Sequence, residues 1–242
     1  MSTLYLIRHG QAGTRENYDV LSGLGQQQAH YLGSYWAAQA LTLDAVFAGS
    51  LQRQQQTAQC FSKSFLTRSI PPFSSLPELI IDERWREFSL ATVYRGLANK
   101  LCADDECFAA DFAEMQALLL AEPNTTRAAV GRCDRAVIQA WMENRYPDYE
   151  GESWSTFRRR VESSLPVLCD RKERQSAIFT SATPIAICTG LALGLTDTKI
   201  LSLMGVLYNS GITTFKMQAG ELRLLSFNNT PHLTDPALRT FR

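Results

Sequence analysis

Residues 3–10 read Thr-Leu-Tyr-Leu-Ile-Arg-His-Gly. The run Thr3–Ile7 is short, apolar and rich in β-forming residues, as expected of a buried strand. Arg8, His9 and Gly10 end it with a cation, a nucleophile-capable imidazole and a flexible residue. In an open parallel sheet, ligands bind beyond the carboxyl ends of the strands. The tripeptide therefore stands where chemistry is expected.

Outward from that strand, Ser22-Gly-Leu-Gly leads into a stretch in which Ala29, Leu32, Tyr35, Trp36 and Ala40 recur at helical spacing, with Ser22 as the N-cap. Asp44–Ala48 reads as a second strand and Leu51–Phe65 as a helix opened by Ser50. Strand, helix, strand, helix is the rhythm of a parallel sheet covered on both faces. Residues 66–82 hold three prolines and lead into Leu79–Asp82 as a third strand. From about 90 to 150 the rhythm changes to helices, Asp111–Ala121 and Arg132–Asn144 among them, with no strand between. Alternation resumes with a helix over Ser153–Cys169, a strand over Ala177–Ser181 and a helix over Pro184–Leu193. Gly211–Met217 and Glu221–Phe227 flank Gln218-Ala-Gly as a terminal hairpin. The expected fold is α/β, one domain over 1–242 built on a mainly parallel sheet with helices on both faces and a helical insertion at about 90–150.

The 242 residues carry 24 Lys+Arg against 24 Asp+Glu. A balanced charge provides no long-range field for nucleic acid or an anionic membrane surface, so any bound anion must be gripped by a few local cations. No apolar window is long enough to span a bilayer, and the first residues do not read as a signal peptide. Six cysteines without a CxxC pair suit reduced thiols better than a disulfide framework or a metal site. The expectation is a cytoplasmic protein with no cofactor and no metal, with neither nucleic acid nor membrane as a partner, and with its oligomeric state open.

The second strand ends in Phe47-Ala-Gly-Ser-Leu-Gln-Arg53, which puts Arg53 in the first turn of a helix. The helix dipole disfavours a cation there unless an anion joins it. Phosphate-ester hydrolysis through a phosphohistidine needs an unprotonated imidazole, fixed positive groups and an acid for the departing oxygen. His9 suits the first role, and Arg8 and Arg53 the second. Asp82, Glu83 and Glu87 are all candidates for the third, and spacing does not choose among them.

LYLIRHGQA, NYDVLSGLGQQQAHYLG, GSLQRQQQTA, DERWREF, GESWSTFRRRV and TSATPIA occur in that order along the chain. In this the sequence resembles the histidine phosphatase superfamily, also called phosphoglycerate mutase-like. The resemblance implies a phosphoglycerate mutase-like fold in which the middle segment is a cap over the pocket that decides the substrate. It makes His9 the phosphorylated nucleophile, Arg8 and Arg53 phosphate ligands, Asn17 a further phosphate contact beside Gly10, and Glu87 the proton donor. It implies a metal-independent phosphatase for a small phosphomonoester, with mutase activity less favoured.

Where the family places a second histidine after the later strand, this chain has Ser181, or Ala182 if the alignment slips by one. Only His30 and His232 remain; the first is mid-helix and the second far along the chain. Losing one preorganised donor costs about 10²–10³ in rate, which implies a slow or specialised phosphatase. The alternative is a relative that binds phosphate esters without turnover. Arg158-Arg-Arg160 reads as a solvated basic face, and Trp36, Trp85, Trp141 and Trp154 as packing residues.

Overall fold

The computed structural model describes residues 2–14, 17–69, 75–122, 128–169, 175–218 and 220–241. The chain divides into two compact units, one formed by Met1–Glu87 with Arg160–Arg242 and the other by Phe88–Arg159.

The first unit is built on a six-stranded sheet. Strand β1 (Ser2–Arg8) is followed by α1 (Gly23–Ala38), β2 (Ala45–Ala48), α2 (Gln52–Arg68) and β3 (Leu79–Ile81). Among its described residues the second unit contains the helices α3 (Leu90–Asp104), α4 (Glu106–Ala121) and α5 (Ala128–Met142). Then come α6 (Trp154–Glu162), α7 (Leu165–Cys169), β4 (Gln175–Thr180), α8 (Ala182–Leu193), α9 (Asp197–Met204), β5 (Ile212–Gln218) and β6 (Glu221–Asn229). The strand order is β3-β2-β4-β1-β5-β6. The first four strands in that order run parallel, and β5 and β6 close the sheet antiparallel. The α/β fold expected from the sequence is the fold observed.

Three local expectations change. Helix α2 is not opened by Ser50, because its N-cap is Leu51. The Leu51 N–H donates to Gln54 Oε1 at 3.2 Å and the Gln52 N–H to Asp19 Oδ2 at 3.2 Å. These acceptors replace a serine hydroxyl. The helix expected over Ser153–Cys169 breaks after Glu162. Pro166 is the cause, since its ring clashes with the carbonyl four residues earlier, at Glu162. The helical insertion also begins earlier than the two helices named from the sequence, with a helix over Leu90–Asp104 capped by Ser89.

The core of the sheet unit is a cluster that includes Ile7, Leu32, Trp36, Val46, Phe61, Phe65 and Phe179. Trp36 meets Phe61 edge-on at 5.2 Å, and Phe61 lies 5.1 Å from Phe179. Helices α1 and α2 approach closely at Gly33, where an added Cβ would fall 2.3 Å from the Phe61 carbonyl oxygen. Gly33→Ala gains about 1 kcal/mol in helix propensity but forces two backbones apart, at a cost of about 1–3 kcal/mol or more. A lower thermal midpoint is expected, and calorimetry checks it. In the helical unit, Trp141 packs with Phe88, Trp154 and Phe157, so these tryptophans are packing residues.

Cys60, Cys102, Cys107, Cys133 and Cys188 are free thiols. Among the described residues no helix is long and apolar enough to cross a membrane.

Candidate active site

The parallel strands β1 and β4 pair in register up to Arg8 opposite Thr180. The next residue, His9, is anchored through its backbone. Its N–H donates to the Thr180 carbonyl at 2.8 Å, and its carbonyl accepts from the Ser210 N–H and from Asn209 Nδ2, both at 3.2 Å. The ring is equally fixed. Nδ1 lies 2.8 Å from the Gly10 carbonyl, which can only accept, so Nδ1 carries the proton. Nε2 is then the lone-pair nitrogen, and it accepts from Arg53 Nε at 3.2 Å.

Burial and the charges of Arg53 and Arg8 hold the His9 imidazole well below its usual value. His9 is thus a neutral imidazole whose lone pair accepts from a guanidinium. Arg53 is itself buried, and its Nη1 donates to Asp19 Oδ1 at 2.9 Å. The Asp19 carboxylate is 42% exposed, so it offsets the Arg53 charge only weakly. The Arg53 guanidinium also lies 5.0 Å from the centre of the Tyr18 ring.

Arg8 is buried, and burial pulls its pKa below the ordinary arginine value, while Tyr18 and Glu87 oppose that pull. Its Nη1 donates to the carbonyls of Leu207 and Phe241. Its Nε–H is buried with no partner among the described residues, an arrangement that costs about 1–3 kcal/mol unless an acceptor arrives. The two arginines do not come from neighbouring strands. Strand β4 lies between β1 and β2, and Arg53 crosses that strand's tip from the first turn of α2.

The other expected site residues are placed as follows. The Gly10 N–H is taken by the Thr57 hydroxyl at 3.0 Å, and a Cβ there would fall 2.4 Å from the Gly25 carbonyl oxygen. Gly10 thus allows a close backbone approach and has no N–H to spare for a ligand. Glu87 Oε2 accepts the Thr183 N–H at 3.1 Å, at the first turn of α8. Asp82 pairs with Arg84 at 2.6 Å, and Glu83 with Arg86 at 3.6 Å on the surface. Ser181 is the N-cap residue of α8, directly followed by Ala182, and is 1% exposed. Asn17 is exposed, and among the described residues its side chain makes no hydrogen bond to this cluster.

His232 does not join the cluster directly. It is buried, with Nε2 2.7 Å from Ser210 Oγ, and burial pushes its pKa down to about 3. Arg160 is not part of a solvated face. Its Nη1 donates to the carbonyls of Glu83, Arg84 and Arg86 at 2.9–3.1 Å, which fixes the turn leading to Glu87.

The residues that sequence reasoning missed are Asp19, Gln54, Thr57, Asn209 and Ser210. Only Asn209-Ser-Gly211 carries a local signal, a turn-forming tripeptide, and Ser210 does adopt a positive φ of 53°.

Comparison with known proteins agrees with this architecture. Several solved structures share the fold. A mutant phosphoserine phosphatase from Entamoeba histolytica in complex with phosphoserine is 20% identical, with a TM-score of 0.61 over 96% of this chain and 100% of that one. A phosphoglycerate mutase from Bacillus anthracis str. Sterne is 16% identical, with a TM-score of 0.61 over 96% of this chain and 95% of that one. A mycobacterial glucosyl-3-phosphoglycerate phosphatase is 18% identical, with a TM-score of 0.56 over 95% of this chain and 100% of that one. No curated protein matches the sequence. The sequence does match the histidine phosphatase superfamily (branch 1) over residues 4–106 and 109–230. With that match across almost its whole length, the chain belongs to the histidine phosphatase superfamily.

Proposed function

We propose that the protein is a metal-independent phosphatase that cleaves a small phosphomonoester through a phosphohistidine at His9. The observation that carries this reading is a neutral, buried imidazole whose lone-pair nitrogen faces Arg53 at 3.2 Å. An imidazole kept unprotonated beside fixed cations has the character of a nucleophile for an anionic phosphoryl group.

In the first step His9 Nε2 attacks phosphorus as the ester P–O bond breaks, and Glu87 gives a proton to the departing alcohol oxygen. The Thr183 N–H on Oε2 requires an acceptor there, so the proton of the acid form sits on Oε1. Arg53 and the orphan Nε–H of Arg8 supply donors to the nonbridging oxygens. In the second step the Glu87 carboxylate takes a proton from water as that water attacks phosphorus and the N–P bond breaks.

Solved structures of this fold include phosphatases and a mutase. Hydrolysis is proposed over phosphoryl transfer because transfer demands, in addition, that water be kept from the phosphoenzyme. Ser181 supports a second reading, a relative that holds phosphate esters without turning them over.

Incubation with 4-nitrophenyl phosphate separates the two. The phosphatase reading expects release that falls to background in His9→Ala, with an acid-labile phosphoryl label on His9. Equal, negligible release from both proteins and no label would leave only the binding reading.

A further inference from the structure

Helix α2 directs two consecutive side chains at the strand tips. Arg53 reaches His9, and Gln54, fully buried, reaches Ser181. The Gln54 carboxamide is pinned at both ends. Its Oε1 accepts the Leu51 N–H at 3.2 Å, while its Nε2 donates to the Trp85 carbonyl at 3.1 Å and to Ser181 Oγ at 2.8 Å. A backbone N–H can only donate and a carbonyl can only accept, so these partners fix which end is oxygen. Both amide protons are used.

Ser181 must therefore accept from Gln54, and its own proton has to point elsewhere. The hydroxyl oxygen accepts no backbone N–H of α8, although Ser181 is the N-cap residue. The Trp85 carbonyl already receives the Thr180 hydroxyl at 2.7 Å as well as Gln54. Among the described residues the Ser181 hydroxyl has no other hydrogen-bond partner. Room for the amide comes from Gly49, where a Cβ would fall 2.1 Å from Gln54 Oε1.

We infer that Gln54 is a positioning residue that commits the Ser181 hydroxyl to donate a hydrogen bond to the phosphoryl group at His9. The inference rests on the phosphatase reading above. A histidine at this place would be a donor by virtue of its charge, whereas a serine hydroxyl can turn either way. Gln54 removes that freedom.

The test is a double-mutant cycle on the full chain with Gln54→Met and Ser181→Ala, read as kcat/KM for 4-nitrophenyl phosphate and as Kd for orthovanadate. Ser181→Ala is expected to lose about 10²-fold in kcat/KM, and Gln54→Met about tenfold. The double variant should lose no more than Ser181→Ala alone. An equal loss from Gln54→Met in both backgrounds overturns the inference, because a merely structural role would weaken both alike.

If Gln54→Met does not fold, Gln54→Glu decides. Its ionised carboxylate accepts the Ser181 proton, so its deficit grows with pH when Ser181 is present and grows less in Ser181→Ala. The same growth in both backgrounds overturns the inference. If wild type and His9→Ala release product equally, the phosphatase reading falls. The orthovanadate cycle still reports whether positions 54 and 181 are coupled.

Discussion

Arg53→Met is expected to lower kcat/KM for an aryl phosphate by about 10³-fold and to shift the acidic limb of its pH profile to higher pH. The rate loss follows from removing a charged donor aimed at the reacting group, in a site where each such donor is worth about 10²–10³. The pH shift follows from the forces on His9. Burial comes first, then Arg53, then Arg8, and all three hold the imidazole below its ordinary value. Without Arg53 that pKa rises, so at any pH on the acidic side a larger fraction of the nucleophile is protonated and idle. Arg53→Lys retains the charge but loses the Nε–H on His9 Nε2. It should keep the limb near its wild-type position while still lowering the rate. A pH–rate profile of the three proteins checks both statements, and an unmoved limb in Arg53→Met would contradict the first.

The second large effect is on stability in mild acid. His9 is held well below 6.5, and His232 is pushed down to about 3. Both imidazoles are neutral in the folded chain, whereas in the unfolded chain they take up protons below about 6.5. The unfolded state then binds more protons, so stability falls as the pH drops. Each group contributes about 1.4 kcal/mol per pH unit once the pH is well under 6.5. Between pH 7 and pH 5 His232 removes about 2 kcal/mol, and His9 acts in the same direction. Asp82 does not confuse this window. Asp82 is held by Arg84 below its ordinary value of 3.8, so its contribution is present above about pH 4 and lost only below it. Urea denaturation at the two pH values checks the loss, and His232→Gln should reduce it by about 2 kcal/mol. A midpoint unchanged between pH 7 and pH 5 would contradict the neutral, buried state of both rings.

The elements that read clearly in the sequence are those whose signal is local. The Thr3–Ile7 run, the Ser22 cap and the hairpin around Gln218-Ala-Gly each depend on a few adjacent residues, and each element is present where expected. Arg8, His9 and Arg53 were legible because strand ends and helix starts are where anions bind, and the three meet within hydrogen-bonding or electrostatic range. What could not be read depends on tertiary neighbours. Asp19 becomes a partner of Arg53 only after the chain turns back past α1. Gln54 stands in a row of glutamines, Gln52 to Gln56 interrupted by Arg53, in which nothing marks it out. Arg160 looked like one of three solvated arginines, because the carbonyls it caps belong to residues 83–86.

The placement of β4 between β1 and β2 also bears on how the protein is born. His9 and Arg53 are made early, yet the strand that joins their tips pairs Thr3 with Gln175 and Ala45 with Ser176. A nascent chain emerging from the ribosome must wait for most of its length before that central slot is filled, and such distant pairing is slow. Until then the proposed phosphate site has no floor, so an incomplete chain holds its residues without their arrangement.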